Sequence, residues 1–343
     1  MPMKLQAATL ERRAAQLAAI LPISRWHPEV QAWVQRDRGR SAWAVALSGG
    51  VDSVALLLTL WTHFPARRDR LVALHYNHRL RGRAADADER FCRDLCNKLG
   101  VTLQVGRRRK PQAVKGEAGA RELRLAFFAE AMKRAGTKVL WIAHQQNDVA
   151  ETMLMRLARG SGAGGLAAPR PVQVHSRGRV HLRPLLAVPR MELEAAMKAT
   201  RLPWREDASN RGTDFFRNRV RQSVIPAWVK AAGRDAVAGA ARSRELLGED
   251  DAALEMWTDA VWAEMPRGGL ALKRTADLPR AVVRRLLHRW LLAHGGGPAP
   301  SRQAFTALLS AVEAGVATRQ SLGAGGFAVI RRHELRNEKA PRK

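Results

Sequence analysis

The chain has 343 residues, with 59 Lys and Arg against 31 Asp and Glu, and a formal net charge of +28 at pH 7. That balance makes a polyanion the expected partner, and the length allows a sizeable core spread over about two domains. No apolar run reaches the roughly 18 residues of a membrane-spanning helix, and the N-terminus lacks the basic, apolar and small-residue order of a secretory signal, so a cytoplasmic protein with no membrane partner is expected.

Residues 1–41 read as an N-terminal helical extension. The apolar run Ala42 to Leu47 then leads into Ser48-Gly49-Gly50-Val51-Asp52-Ser53 and a second apolar run, Val54 to Trp61. This order predicts a strand, a glycine-rich turn and a helix. Glycines there let the backbone approach an anion, at which free N–H groups and the positive helix end are aimed. No Gly-Lys-Ser/Thr follows, which excludes a Walker A loop, and the turn itself lacks the GxGxxG of a dinucleotide fold. A plain strand-to-helix turn with Ser48 as cap is the structural alternative.

Leu71 to Asn77 reads as a second strand and Ala84 to Leu99 as a helix. Cys92 and Cys96 lie four apart on that helix, a spacing that fits buried, reduced packing better than a metal site. Val101 to Val105, Glu117 to Ala135 and Lys138 to Ala143 continue as strand, helix and strand. The alternation predicts an α/β fold, an open parallel sheet with helices on both faces, which binds ligands beyond the carboxyl ends of its strands. Those ends carry the chemistry. His75, His78, Arg79 and Arg81 follow the second strand, and His144 and Asp148 follow the fourth, before a helix expected from Glu151 to Arg159. Asp52 and Asp148 on one sheet edge suit Mg²⁺ bound to ATP phosphates, although Asp148 near a helix start also suits an N-cap.

Farther on, the Gly-rich segment from Arg159 to Gly165 and the cluster Arg217-Asn218-Arg219-Val220-Arg221 suit contacts to a nucleic-acid backbone. Trp257, Trp262 and Trp290 occupy apolar helix positions and are expected in a core. Basic residues concentrate early: 40 basic against 19 acidic residues over 1–225, and 19 against 12 beyond.

In order and spacing, SGGVDS, the stretch from His75 to Gly82, Gly116 to Glu122, His144 with Asp148, Glu151 and Thr152, Arg159 to Gly162, Arg183 to Leu186, Glu206 to Asn210 and Arg217 to Arg221 resemble the tRNA(Ile)-lysidine synthetases. These are PP-loop (N-type) ATP pyrophosphatases. The match is looser from 244 to 336. The resemblance implies a PP-loop catalytic domain over 42–228 with an adenine nucleotide alpha hydrolase-like sheet, then a smaller, mainly helical tRNA-binding domain over 229–343. It implies that ATP activates the wobble cytidine of a CAU-anticodon tRNA(Ile) as an adenylate, and that free L-lysine then attaches to C2. On this basis Ser48, Gly49, Gly50, Val51, Asp52 and Ser53 hold ATP, and Asp52 and Asp148 hold Mg²⁺ and orient lysine. Arg121 and His144 join them as catalytic residues, while His75, His78, Arg79, Arg81, Arg159, Arg217, Asn218 and Arg221 contact tRNA or the site. The oligomeric state is left open, a homodimer included.

One segment departs from the family. Its usual HHxDDQ reads His144, Gln145, Gln146, Asn147, Asp148 and Val149. Asn147 keeps an acceptor oxygen without a charge, which weakens any contact to a cation there. Two alternatives stay open: another PP-loop activity such as tRNA thiolation or glutamine-fed amidation, and a non-catalytic RNA-binding paralogue.

Overall fold

Period-two alternation along short apolar strands decides the layers of the first part of the chain. The computed structural model describes residues 5–37, 42–79, 82–108, 116–206, 215–294, 300–323 and 326–338. They fall into two units, Met1–Leu246 and Leu247–Lys343.

In the first unit the elements run α1 (Ala7–Ile20), α2 (Pro28–Arg36), β1 (Trp43–Ala46), α3 (Val51–His63), β2 (Leu71–Asn77), α4 (Arg83–Leu99), β3 (Thr102–Arg107) and α5 (Gly116–Arg134). They continue as β4 (Val139–Trp141), α6 (Gln146–Leu157), α7 (Ala163–Leu166), β5 (Val172–Val174), β6 (Val180–Leu182), α8 (Arg190–Ala199), α9 (Phe216–Arg219) and α10 (Ile225–Ala232). A six-stranded sheet has the order β3-β2-β1-β4-β6-β5. All its pairings are parallel except that of the edge strand β5 with β6.

Trp43, Val45, Ala73, Val139 and Trp141 face one side, where they share a core with Val54, Leu57, Leu95 and Leu193 of α3, α4 and α8. Ala44, Leu74 and Leu140 face the other, against Phe128, Ala131 and Met132 of α5. Helices therefore cover both faces. The chain moves outward from β1 through β2 to β3, then returns to place β4 on the other side of β1, so the switch point of the sheet lies between β1 and β4.

The sequence sets residues 1–41 apart, yet Leu10, Ala14, Leu17 and Leu21 belong to the same core as β1 and α3. The apolar stripe of α1 is buried there, and Trp26 packs on Trp141 at a ring separation of 5.6 Å. The boundary between the units falls inside α11 (Ala236–Ala263) and not near residue 228. Helix α6 also begins five residues earlier than expected, because Gln145 and Asp148 close a reciprocal capping box at its start.

The second unit contains β7 (Gly269–Ala271), α12 (Arg280–His294), α13 (Arg302–Ala314), β8 (Thr318–Ser321), β9 (Phe327–Arg331) and β10 (Glu334–Glu338). Its strands form an antiparallel sheet of order β7-β10-β9-β8, so the helical domain expected from the sequence also carries a small sheet. Leu270, Leu286, Trp290, Leu308, Ile330 and Leu335 make its core. Trp290 is fully buried and Trp262 packs against this core, but Trp257 is 45% exposed, which corrects the expectation that all three are core residues. An α-helix of this length necessarily turns some positions outward, and Trp257 sits on such a face beside exposed Met256. Among the described residues no helix is long and apolar enough to cross a membrane.

Because Leu17 has no exposed surface in the shared core, Leu17→Ala should lower the unfolding free energy of the first unit by about 2–5 kcal/mol. Urea denaturation followed by tryptophan fluorescence checks this, and a change below about 0.5 kcal/mol would mean that α1 is peripheral.

Candidate active site at the β1–β4 crevice

Beyond Ala46 the ladder continues for one more bond, from the Leu47 amide to the Leu74 carbonyl (2.9 Å). The chain then turns sharply. Gly49 has φ +93°, and a Cβ there would stand 3.2 Å from Cys92 Sγ. The backbone conformation favours glycine, and the space beside it is tight. The two serines close the turn: Ser53 Oγ accepts from the Ser48 amide (3.1 Å) and donates to the Gly50 carbonyl (3.0 Å), while Ser48 Oγ accepts from the Gly50 amide (3.2 Å). Val51 is buried in the core. Gly50 is the N-cap of α3 and has no side chain to cap with, so the first-turn amides of this 13-residue helix lack intrahelical acceptors. The result is a turn whose amides suit an anion, with one ionisable side chain, Asp52.

Asp52 is unusual. Its Oδ1 is buried with no hydrogen-bond partner among the described residues. Burial, then the charge of Asp148, push its pKa up to about 7, against the pull of Arg190 and Arg221. Across the crevice, Asp148 Oδ2 accepts from the Gln145 amide (3.0 Å) and Gln145 Oε1 accepts from the Asn147 amide (2.6 Å). Asp148 is therefore a capping carboxylate. It is also an ion-pair partner, since Arg217 Nη2 donates to its Oδ1 at 3.0 Å. One turn on, fully buried Glu151 accepts from Arg217 Nε (2.7 Å) and from Arg221 Nε (2.5 Å) and Nη2 (3.0 Å). Arg217 and Arg221 stand four apart on α9 and a following π-helical turn, Val220–Val224, which presents both to one carboxylate.

Asn147, the neutral replacement, is occupied: its Oδ1 accepts from the Arg190 amide at the start of α8 (3.1 Å). Arg190 in turn donates through Nε to Glu194 (2.8 Å). His144 Nδ1 accepts from Arg183 Nε (3.0 Å). Burial, Arg183 and Arg217 hold its pKa well below the usual imidazole value. A neutral ring whose Nδ1 accepts carries its proton on Nε2, which makes His144 a hydrogen-bond donor toward anything beyond it. Arg121 is exposed on α5, and its charge is felt at His144, His181, Arg156 and Arg183.

The remaining sequence candidates divide. His75 is 4% exposed and its Nδ1 lies 2.9 Å from the Leu47 carbonyl, so it braces the backbone that enters the loop. His78 packs edge-on against Tyr76. Arg79 is exposed, in a turn where its amide donates to Asn77 Oδ1 (2.9 Å). Asn218 is buried and Arg159 exposed after α6. Arg81 lies outside the described residues. Asp52, Asp148, Arg217 and Arg221 come together, and Glu151, Arg183, Arg190 and Glu194 join them without having been singled out for the site. The i, i+4 spacing of Arg217 and Arg221 was the one signal that could have revealed a shared partner. Among the described residues no group of three or more His, Cys, Asp or Glu could hold a metal. Cys92 and Cys96 are buried, and burial pushes the Cys96 thiol up to about 12.

The raised pKa of Asp52 has a measurable cost. Its folded value of about 7 lies above the ordinary 3.8, so the folded state binds the extra proton between those values and loses stability as pH rises through them. Asp52→Asn should therefore stabilise the ligand-free protein by about 1–3 kcal/mol at pH 8 and by much less at pH 5. Urea titrations of both proteins at the two pH values check this; an equal difference at both would remove the buried-charge account.

Comparison with known proteins adds a second line. Residues 24–228 match the model of the PP-loop domain family, and residues 270–336 match that of the TilS substrate-binding domain. Curated relatives include the tRNA(Ile)-lysidine synthase of Geobacter sulfurreducens, 40% identical over 215 residues, covering 61% of this chain and 45% of that protein. Those of Symbiobacterium thermophilum and Chromobacterium violaceum are both 36% identical, covering 77% and 83% of this chain and 58% and 65% of the relatives. The chain thus spans less than two thirds of the length of each. Among solved structures, the U34-tRNA thiolase NcsA from Methanococcus maripaludis shares the fold, with a TM-score of 0.52 at 15% identity over 70% of this chain and 79% of that one. A glycine-shaped anion loop at the switch point and a family match over most of the first unit lead to one conclusion: this chain belongs to the PP-loop family.

Proposed function

We propose that the protein is a tRNA(Ile)-lysidine synthetase, which uses ATP to attach L-lysine to C2 of the wobble cytidine in a CAU anticodon. The observation that carries this is the pairing of an amide-lined turn with two carboxylates, Asp52 with its buried Oδ1 and buried Asp148, on a chain that continues into a TilS substrate-binding domain. The net charge of +28 agrees with a polyanionic RNA partner.

The C2 oxygen of cytosine is a poor leaving group. Attack of that oxygen on the α-phosphorus of ATP forms an O–P bond and expels pyrophosphate, whose charge the first-turn amides of α3 stabilise. The neutral ε-amine of lysine then adds to C2, the C2–O bond breaks with release of AMP, and the nitrogen gives up a proton. His144, a donor through Nε2, suits the cytosine edge or a phosphate oxygen better than the role of a base. Asp148 already carries Arg217, so a lysine ammonium shares or replaces that contact.

Magnesium fits the donor set: Asp52 offers a buried oxygen with no partner among the described residues, and Mg²⁺ takes one or two carboxylates alongside substrate phosphates. When bound, it would neutralise polyphosphate charge and ease departure of pyrophosphate. Buried Cys92 and Cys96 offer nothing to the alternative thiolation chemistry.

Incubation with ATP, Mg²⁺, labelled lysine and CAU-anticodon tRNA, followed by nucleoside digestion and mass analysis, tests the activity. Lysine-modified cytidine is expected. ATP–pyrophosphate exchange without lysine transfer would point to a different PP-loop reaction, and neither signal would overturn catalysis. Asp148→Asn preserves an acceptor for the helix cap but removes the charge, so it and Asp52→Asn should each lower lysine transfer by about a hundredfold or more while tRNA affinity stays within about twofold. Gly49→Ala should lose ATP binding, read by calorimetry, because the new methyl group meets Cys92 and the backbone is strained.

A further inference from the structure

The anion loop Ser48-Gly49-Gly50-Val51-Asp52-Ser53 contains no cation. A departing pyrophosphate concentrates negative charge, and a fixed positive group beside the loop would add to what backbone dipoles and a bound Mg²⁺ balance. The arginines nearest the carboxylates are committed: Arg190 to Glu194, Arg217 to Asp148 and Glu151, and Arg221 to Glu151.

The segment after α8 supplies another. Leu202 is buried in the core of the first unit and Trp204 packs against it, which carries the chain across the loop. At Arg205 the backbone amide donates to the Gly49 carbonyl at 2.9 Å. The side-chain stem runs along the glycine turn, with Cγ 3.6 Å from the place a Gly49 Cβ would occupy. Nε donates to Asp88 Oδ1 on α4 at 2.9 Å, and Asp88 is itself 7% exposed. Neither terminal amino group of Arg205 has a hydrogen bond among the described residues, and the side chain is 42% exposed. It is a cation gripped at one end, beside the turn, with two donors still to be used.

We propose that Arg205 is a polyphosphate-binding residue of this site. Its backbone amide fixes the Gly49–Gly50 peptide from outside while the serines fix it from within, and Asp88 orients the guanidinium so that its terminal amino groups meet the β- and γ-phosphates. A planar fork held at Nε retains a pair of parallel donors for a phosphate. The proposal rests on ATP as the ligand of the loop.

Calorimetry on the full chain with a non-hydrolysable ATP analogue, with pyrophosphate and with AMP tests it. In Arg205→Ala the backbone amide remains but buried Asp88 loses its Nε partner, so the protein should stay folded with a lowered thermal midpoint, while affinity for the analogue and for pyrophosphate falls about tenfold and that for AMP changes less than about twofold. Arg205→Lys should recover part of the loss, and Asp88→Asn should weaken pyrophosphate binding by less than Arg205→Ala does. Unchanged pyrophosphate affinity in Arg205→Ala, or equal losses for AMP and pyrophosphate, would overturn the assignment. A wild-type protein that binds neither the analogue nor pyrophosphate would overturn the ATP reading itself, and this assignment with it.

Discussion

A carboxylate with no exposed surface is costly to bury unless charged or hydrogen-bonding groups pair with it, and Glu151 imposes that condition on the whole crevice. It is met by Arg217 and Arg221, which lie about 70 residues farther along the chain. To deliver them, the segment after α8 must return to α6, and the helix there widens into a π turn so that both guanidiniums reach the same group. Arg217 then extends to Asp148, and the field of Arg221 reaches Asp52. Positive charge spent in this way keeps three carboxylates near one another beside an anion site, an arrangement that would otherwise repel its own ligand.

Much of the sheet was legible because its strands are short, apolar and bounded by glycine or polar residues; Leu71–Asn77 falls where the pattern puts it. The glycine turn was legible for the same reason, since Gly49 needs a backbone that few residues adopt. Other features are settled only by distant partners. Nothing local in Arg183 announces that its Nε faces His144, and nothing in Arg205 announces Gly49 and Asp88. The docking of the N-terminal helix was not legible, because alanine-rich amphipathic segments resemble surface helices until something receives their stripe, and here the core of α3 does. The sequence offers Asp148 as N-cap or ligand; the N-cap is Gln145, and Asp148 stands at the third helical position, where one oxygen accepts the Gln145 amide and the other meets a cation.

Charge placement needs the same care. Arg285 pairs with Asp251 and Glu255, and Arg289 with Glu255 and Asp259, all within the second unit. These guanidiniums knit α12 to α11, which leaves exposed groups such as Arg284 to face a polyanion in this unit. A count of basic residues overstates the field available to a polyanion wherever the cations are already spent on the fold.

The hydrogen bond from the Arg190 amide to Asn147 Oδ1, together with that from the Gln146 amide to the Val188 carbonyl (3.0 Å), ties the opening turns of α6 and α8 into one mechanical piece. Asp148 and Arg190 ride on the two ends of that coupling. The two bonds fix the spacing between the helix starts that carry them, so the acidic and basic walls of the crevice are set by one backbone joint and not by separate side chains. An uncharged amide at 147 suits such a joint: it accepts the Arg190 amide without adding a fourth negative charge to a crowded pocket.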